Sequence, residues 1–285
     1  MVQRLGSTVL IFLLGLLPLF SSAQTRTVGV LQYDPATSPG YTLLAPQRSD
    51  SIWLIDECGR VLHSWHDGLE PGNSTYLLEN GHLLRTSSEG QSANPSFVAG
   101  GAADHIRLYD WDNTLLWNFT WSTPTTRLHH DIAYLPNGNI VLLAWEYKSV
   151  GEALTSGRDP SEISAFGLWP ETLVEIRPIF PDSGEIVWEW HAWDHLVQDY
   201  DSNLANFGNP SDHPELLDLN YLGDAGVGTV DWLHCNSVAY HPDLDQIMLS
   251  SREFSEIWIL DHSTTTAEAA GHTGGNQGRG GDLIY

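Results

Sequence analysis

A chain of 285 residues that is 41% hydrophobic and 11% aromatic has the apolar surface for a sizeable core and too many aromatic rings for disorder. Its formal net charge of −24, from 36 acidic and 12 basic side chains, argues against nucleic acid and anionic lipid as partners, because both need a basic footprint. An anionic small molecule would need locally placed cations, so each arginine near a predicted strand end carries information.

Residues 1–23 read as a secretory signal: Arg4 lies in a short basic start, the apolar run VLIFLLGLLPLF occupies residues 9–20, and SSA precedes Gln24 as a small-residue cleavage site. That run is short for a membrane span, and no later segment approaches about 18 apolar residues. The expectation is a secreted or periplasmic protein without a membrane anchor after cleavage, whose domain covers residues 24–285. Cys58 and Cys235 are expected as free or buried thiols, since their spacing gives no sign of proximity.

From residue 51 two patterns alternate. One is a strand ending near Asp, a polar turn and a Trp-rich return: SIWLIDECGRVLHSW (51–65), HIRLYDWDNTLLWNFTW (105–121), LVEIRPIFPDSGEIVWEW (173–190), and EIWILD (256–261) with GGDLIY (280–285). The other is a hairpin: NSTYLLENGHLLRT (73–86), HDIAYLPNGNIVLLAW (130–145) and NSVAYHPDLDQIMLSSR (236–252). Aligning the hairpin turns at Asn80-Gly81, Asn137-Gly138 and Asp243-Leu244 puts Asn73, His130 and Asn236 in one register. In the last hairpin, arms of about seven or eight residues return Arg252 to the end where His234 starts, and alternation points His234 and Asn236 to one side. A polar cluster at one strand end follows.

Together the patterns make a unit of four strands recurring at about 50 residues plus insertions, the arithmetic of a β-propeller blade. The expected fold is all-β, a propeller; a β-sandwich is the alternative, but it does not require internal similarity. The segments 148–170 and 191–231, rich in Gly, Pro, Asp and Asn, are expected as loops over the histidine-bearing end, with a short helix near 193–200 or 214–219.

The stretches GYTLLAPQRSDSIWLIDECGRVLHSW, LHHDIAYLPNGN, LHCNSVAYHP, LSSREFSEIWILD and GGNQGRGGDLIY, taken together, resemble the bacterial arylsulfate sulfotransferase family over nearly all of residues 24–285. The resemblance implies a six-bladed propeller with the active site in its central funnel, about four blades being represented in this chain. It implies transfer of a sulfuryl group from a phenolic sulfate donor to a phenol acceptor through a sulfated histidine, with no nucleotide donor and no cofactor. By position, LHHD gives His130, HCN gives His234 and Asn236, and SSR gives Arg252 as the residues that hold the sulfate oxygens; His130, His234 and Arg252 also count as catalytic. The resemblance sets the sulfated histidine downstream of the segment like GGDLIY, beyond Tyr285. The chain then reads as a truncated or partial one, inactive in transfer by itself, whose open seam favours aggregation or a homo-oligomer.

The residue types suit the chemistry. Arginine offers a fixed fork of donors and keeps its charge, histidines donate to sulfate oxygens or handle the phenol proton, and asparagine adds a neutral donor. Each alone is more often a surface or capping residue; the case rests on their convergence. His129 is expected to face the neighbouring blade, Asp131 to orient a histidine or close a turn, and Asn73 to add a neutral group. The site assignment contains no metal, although Asp194, His195, Asp199 and Asp201 have the composition of a hard-cation site. Trp193 and Trp232 are candidates for stacking on an aryl group. The sequons at Asn73 and Asn118 are compatible with export. Two other functions compete: a non-catalytic propeller binding a small anion or a protein, and a metal-assisted hydrolase on His130, Asp131 and the 194–201 loop.

Overall fold

Strands form where apolar and polar residues alternate between turn-forming pairs. The computed structural model describes residues 30, 32 and 34–285, so the predicted signal segment lies outside the described residues. β1 (Tyr41–Leu44), β2 (Ser51–Asp56) and β3 (Val61–His66) make one antiparallel sheet in that order. β4 (Glu70–Leu77), β5 (Leu83–Ser88), β6 (His105–Tyr109) and β7 (Leu115–Thr120) make a four-stranded antiparallel meander. So do β8 (Thr126–Tyr134), β9 (Ile140–Glu146), β10 (Glu171–Ile179) and β11 (Ser183–His191). β12 (Leu196–Val197) and β13 (Leu217–Asp218) are a short parallel pair. β14 (Cys235–His241), β15 (Gln246–Ser251) and β16 (Glu256–Asp261) form the last meander. Residues 284 and 285 extend it, with Ile284 N–H donating to Ile259 O and Ile259 N–H to Tyr285 O.

The fold is all-β, and the predicted strand pairs are present except that GGDLIY forms no strand and meets EIWILD only through residues 284 and 285. Both Asn-Gly turns close as their chemistry requires: Gly81 and Gly138 have φ of 83° and 87°, a region glycine enters without a Cβ penalty. The helical expectation is corrected. Residues 192–194 make only a single 3-10 turn, 214–219 contain β13, and the two α-helices among the described residues are α1 (Val150–Thr155) and α2 (Thr266–Ala269), each opened by a capping box. Among the described residues no helix is long and apolar enough to cross a membrane.

Tryptophans fill the spaces between sheets. Trp188, Trp190, Trp232 and Trp258 are buried in the cluster joining the β8–β11 and β14–β16 sheets, and Trp117 is buried between the β4–β7 and β8–β11 sheets. Their indole N–H groups are satisfied, Trp117 by Ser183 O and Trp190 by Gly281 O.

β4, β8 and β14, the first strands of three sheets, lie side by side. Asp131 ties them together: it accepts from Tyr76 Oη at 2.6 Å, Ser74 Oγ at 2.8 Å and Val238 N at 3.1 Å. Asp131 is therefore a fastener between strands, and neither orients a histidine nor closes a turn.

Candidate functional site

The register that aligns Asn73, His130 and Asn236 has a common structural cause. In each of β4, β8 and β14 the pairing slips at that place, between Pro71 and Thr75, between Leu128 and Ile132, and between Cys235 and Ser237. The aligned residue sits in a β-bulge all three times. A bulge frees a residue from the ladder and re-aims its side chain, and such bulges gather beside active sites. Strict alternation fails here, which corrects the expectation that it alone aims His234 and Asn236 to one side. Asn73, His130 and His234 have φ of 84°, 49° and 43°, each in the left-handed region. That conformation costs a non-glycine residue about 1–2 kcal/mol, which the surrounding contacts must offset. For His130 they include its N–H bond to Gly101 O and its ring against Gly101, where any Cβ would overlap the imidazole.

Two histidines meet at the centre: the rings of His130 and His234 are 4.9 Å apart, edge to face. Their electrostatic settings differ. His129, fully buried and stacked on Trp145 at 4.0 Å, has Nε2 2.7 Å from Glu171 Oε2 and Nδ1 3.1 Å from Nδ1 of His130. Burial pushes the Glu171 carboxyl well above the usual range and pushes His129 down to about 3, which favours the neutral form of each. Cys235 N–H donates to Glu171 Oε1, making that oxygen the carbonyl and Oε2 the hydroxyl. The proton chain follows: Oε2–H donates to His129 Nε2, His129 Nδ1–H donates to His130 Nδ1, and His130 keeps its proton on Nε2. Burial, reinforced by the neighbouring imidazoles, holds His130 itself at about 3.

His234 is set the other way. Its Nδ1–H donates to Asp231 Oδ2 at 2.5 Å, and Trp145 Nε1–H holds the other oxygen of Asp231 at 2.9 Å. The Asp231 bond raises the His234 pKa against the effect of burial, favouring the imidazolium. The pair offers two Nε2–H donors, one neutral and one cation-favouring, side by side.

Arg252 comes to the same end, as the hairpin count predicts: its N–H donates to His234 O at 3.2 Å. Its side chain is 62% exposed and donates to Glu253 Oε1 at 2.7 Å. Asn236 is exposed on its bulge. Other arginines are committed elsewhere: Arg127 is buried on Asp104 and the Phe97 carbonyl, and Arg158 on the Leu219 carbonyl.

The remaining candidates separate. Trp232 is 1% exposed, so it is core and unavailable for stacking on a ligand. Trp193 is partly buried with Lys148 Nζ 5.5 Å above its ring. His195 turns away from Asp194, Asp199 and Asp201 toward His272 and Asp282. Asn118 accepts from Arg107 Nε. Cys58 is exposed, Cys235 buried, and both are free. A cavity of about 770 Å³ lies toward the turn ends of β4, β8 and β14, lined by Tyr76, Ile132, Tyr134 and Val238; it does not include the histidines.

Glu171 and Asp231, the carboxyl groups behind the two imidazoles, escape sequence reasoning. Asp231 lies three residues before His234, a spacing that suits a side-chain bond, whereas Glu171 sits 42 residues from His129 with no local signal.

A family model described as arylsulfotransferase (ASST) matches residues 30–268. Among curated proteins none matches the chain. Two solved structures show a distant likeness. One is a protein of unknown function from Bacteroides caccae, 12% identical, with 80% of this chain and 71% of that one covered and a TM-score of 0.36. The other is Kuenenia stuttgartiensis hydrazine synthase, 12% identical, with 86% and 70% covered and a TM-score of 0.43. At such scores neither supports an argument.

Proposed function

Because this chain belongs to the arylsulfotransferase family, we propose that its site, formed by His130, His234, Asn236 and Arg252, serves transfer of a sulfuryl group from a phenolic sulfate ester to a phenolic acceptor. The observation that carries the reading is the meeting, at 4.9 Å, of a neutral imidazole and one tuned toward the cation. Sulfuryl transfer resembles phosphoryl transfer in needing charge stabilised on equatorial oxygens and groups held in line. In the proposed site Nε2–H of His130 donates to a sulfate oxygen, Nε2–H of His234 faces the phenolic oxygen, Arg252 turns its fork from Glu253 to the anion, and Asn236 adds a neutral donor.

His234, oriented through Nδ1 by Asp231, handles the phenol proton. It protonates the leaving phenolate as the aryl oxygen–sulfur bond breaks, and it takes the proton of the acceptor phenol in the second half. A sulfohistidine links the halves: the nitrogen–sulfur bond forms as the donor leaves and breaks as the acceptor oxygen bonds to sulfur. The nucleophile in this reading is none of the four residues. His130 has Nδ1 accepting from His129 and Nε2 protonated, so it presents no free lone pair; the resemblance sets the sulfated histidine downstream of residues like 280–285. The cycle uses no nucleotide donor. Meanders whose first strands lie side by side support a propeller with this site in its funnel. The signal-like residues 1–23 support a secreted or periplasmic place for it.

The test combines calorimetry with phenyl sulfate, product analysis with a phenol, and mass spectrometry of the quenched protein. Residues 24–285 are expected to bind phenyl sulfate, and Arg252→Ala and His234→Ala to abolish binding. Transfer is expected only from a chain extended through the downstream segment. Sulfate found on His130 during steady turnover overturns the nucleophile assignment. A folded, extended chain without transfer favours the non-catalytic anion-binding reading, and failure to bind phenyl sulfate at all overturns the function.

A further inference from the structure

Apart from the His130–His234 pair, three segments bring His195, His272 and Asp282 together, with one ligand atom from each within 4.8 Å of the others. His195 follows the 192–194 turn, His272 follows α2, and Asp282 ends the glycine-rich stretch before Leu283. The imidazole of His195 has no solvent exposure, and the Asp282 carboxylate is 8% exposed. Nε2 of His195 is 2.8 Å from the Ala269 carbonyl, which can only accept, so Nε2 carries a proton. Nδ1 of the same ring is 2.8 Å from Asp282 Oδ1, and that oxygen is also 2.7 Å from Nδ1 of His272.

With Nε2–H given to the Ala269 carbonyl, it is Nδ1 of His195 that faces Oδ1 of Asp282. A metal ion uses the Nδ1 lone pair and Oδ1 directly, and the His195 bond from Nε2–H to a backbone carbonyl is the outer contact that metal-bound histidines ordinarily make.

We propose that Nδ1 of His195, Nδ1 of His272 and Oδ1 of Asp282 bind a divalent first-row transition-metal ion, with zinc as the expected occupant. Two imidazoles and one carboxylate suit zinc and exclude the all-oxygen preference of calcium and magnesium. As the nitrogen–metal bonds form each Nδ1 offers its lone pair, and any proton on it leaves, to Nε2 of His272 or to solvent. The surroundings are built to hold His195 still. Trp190 lies parallel to its ring at 5.7 Å and donates to Gly281 O at 2.7 Å, and a Cβ at Gly281 would sit 2.6 Å from His195 Nε2. His272 borders a cavity of about 450 Å³ with Trp193 and Asn206, which gives the ion access and leaves room for water as a further ligand.

The experiment strips the full chain with a chelator, titrates it with zinc by calorimetry and measures retained metal after desalting. A single retained equivalent per chain is expected. His272→Ala and Asp282→Asn are each expected to weaken zinc binding by more than the roughly 10–100-fold that outer partners contribute. Cobalt in place of zinc should give the visible spectrum of an ion bound to nitrogen and oxygen, lost in both variants. No retained zinc in the wild-type chain overturns the proposal, and so does retention by His272→Ala equal to the wild type. His272 is exposed, so its variant is expected to keep the metal-free circular dichroism; His272→Gln replaces it if not.

Discussion

The two histidine clusters are built in opposite ways. The central one grows from the repeated strands: His130 sits in the bulge of β8, His234 immediately before β14, and each ring has a carboxyl group behind it, Glu171 through His129 and Asp231 directly. The outer one grows from loops between strands, and a single carboxylate oxygen faces both of its rings. In the first, protons have defined places and the outward-facing nitrogens are left as donors. In the second, two ring nitrogens share one oxygen. In the two proposed readings the same residue types hold an anion in one place and a cation in the other; what differs is whether the carboxyl group lies behind the imidazole or between two of them.

Acid should affect the central cluster most. His129 and His130 sit near about 3, below the ordinary 6.5, so between those values the unfolded chain takes protons that the folded one refuses, and stability falls as pH falls. Glu171, raised above its ordinary 4.5, acts in reverse above that value by keeping a proton that the unfolded chain releases. Below 4.5 this compensation is gone, so unfolding followed by tryptophan fluorescence should steepen between pH 4.5 and about 3. Stability that stays level across that window would remove the neutral buried pair.

Next in size, Asp231→Ala should cost about 3–5 kcal/mol in urea unfolding, because it strands a buried partner. It should also lower the His234 pKa in an NMR titration, whereas an unchanged titration would show that Asp231 does not hold the proton. Arg252→Lys should weaken phenyl sulfate binding by about 1 kcal/mol, near the lower end for charged hydrogen bonds given the exposure of the guanidinium, and leave the melting temperature alone. Equal affinity in a folded variant takes Arg252 out of the site. The smallest effect belongs to the outer cluster: without metal, His272→Ala should cost less than about 1 kcal/mol, as an exposed ion pair does. A loss as large as that of Asp231→Ala would mean that the outer cluster holds its loops together without any ion.

Much of the strand pattern was legible because turns and alternation are local signals. Asn80-Gly81 and Asn137-Gly138 lie where the pattern needs turns, and Arg252 lands beside His234 because a hairpin has a fixed rise. The aligned register of Asn73, His130 and Asn236 was legible too, although the bulges beneath it were not, since a bulge changes pairing without changing residue spacing in its own strand. Glu171 and Asp282 stayed hidden for another reason. Each meets its histidine across 42 and 87 residues, through loops with no period to count along. The propensity of 214–219 for helix gave way to pairing of Leu217 and Asp218 with β12, a contact that exists only once the loop has packed.

The three in-register slips in pairing have a consequence for how such a protein changes over time. A residue in a bulge lies outside the regular ladder, so the side chains at positions 73, 130 and 236 are aimed by their own surroundings and not by cross-strand pairing. Each copy of the unit thus presents one side chain at the same address, asparagine in two copies and histidine in the third. New chemistry at the centre then comes by swapping a single side chain, while the frame that aims it is copied intact.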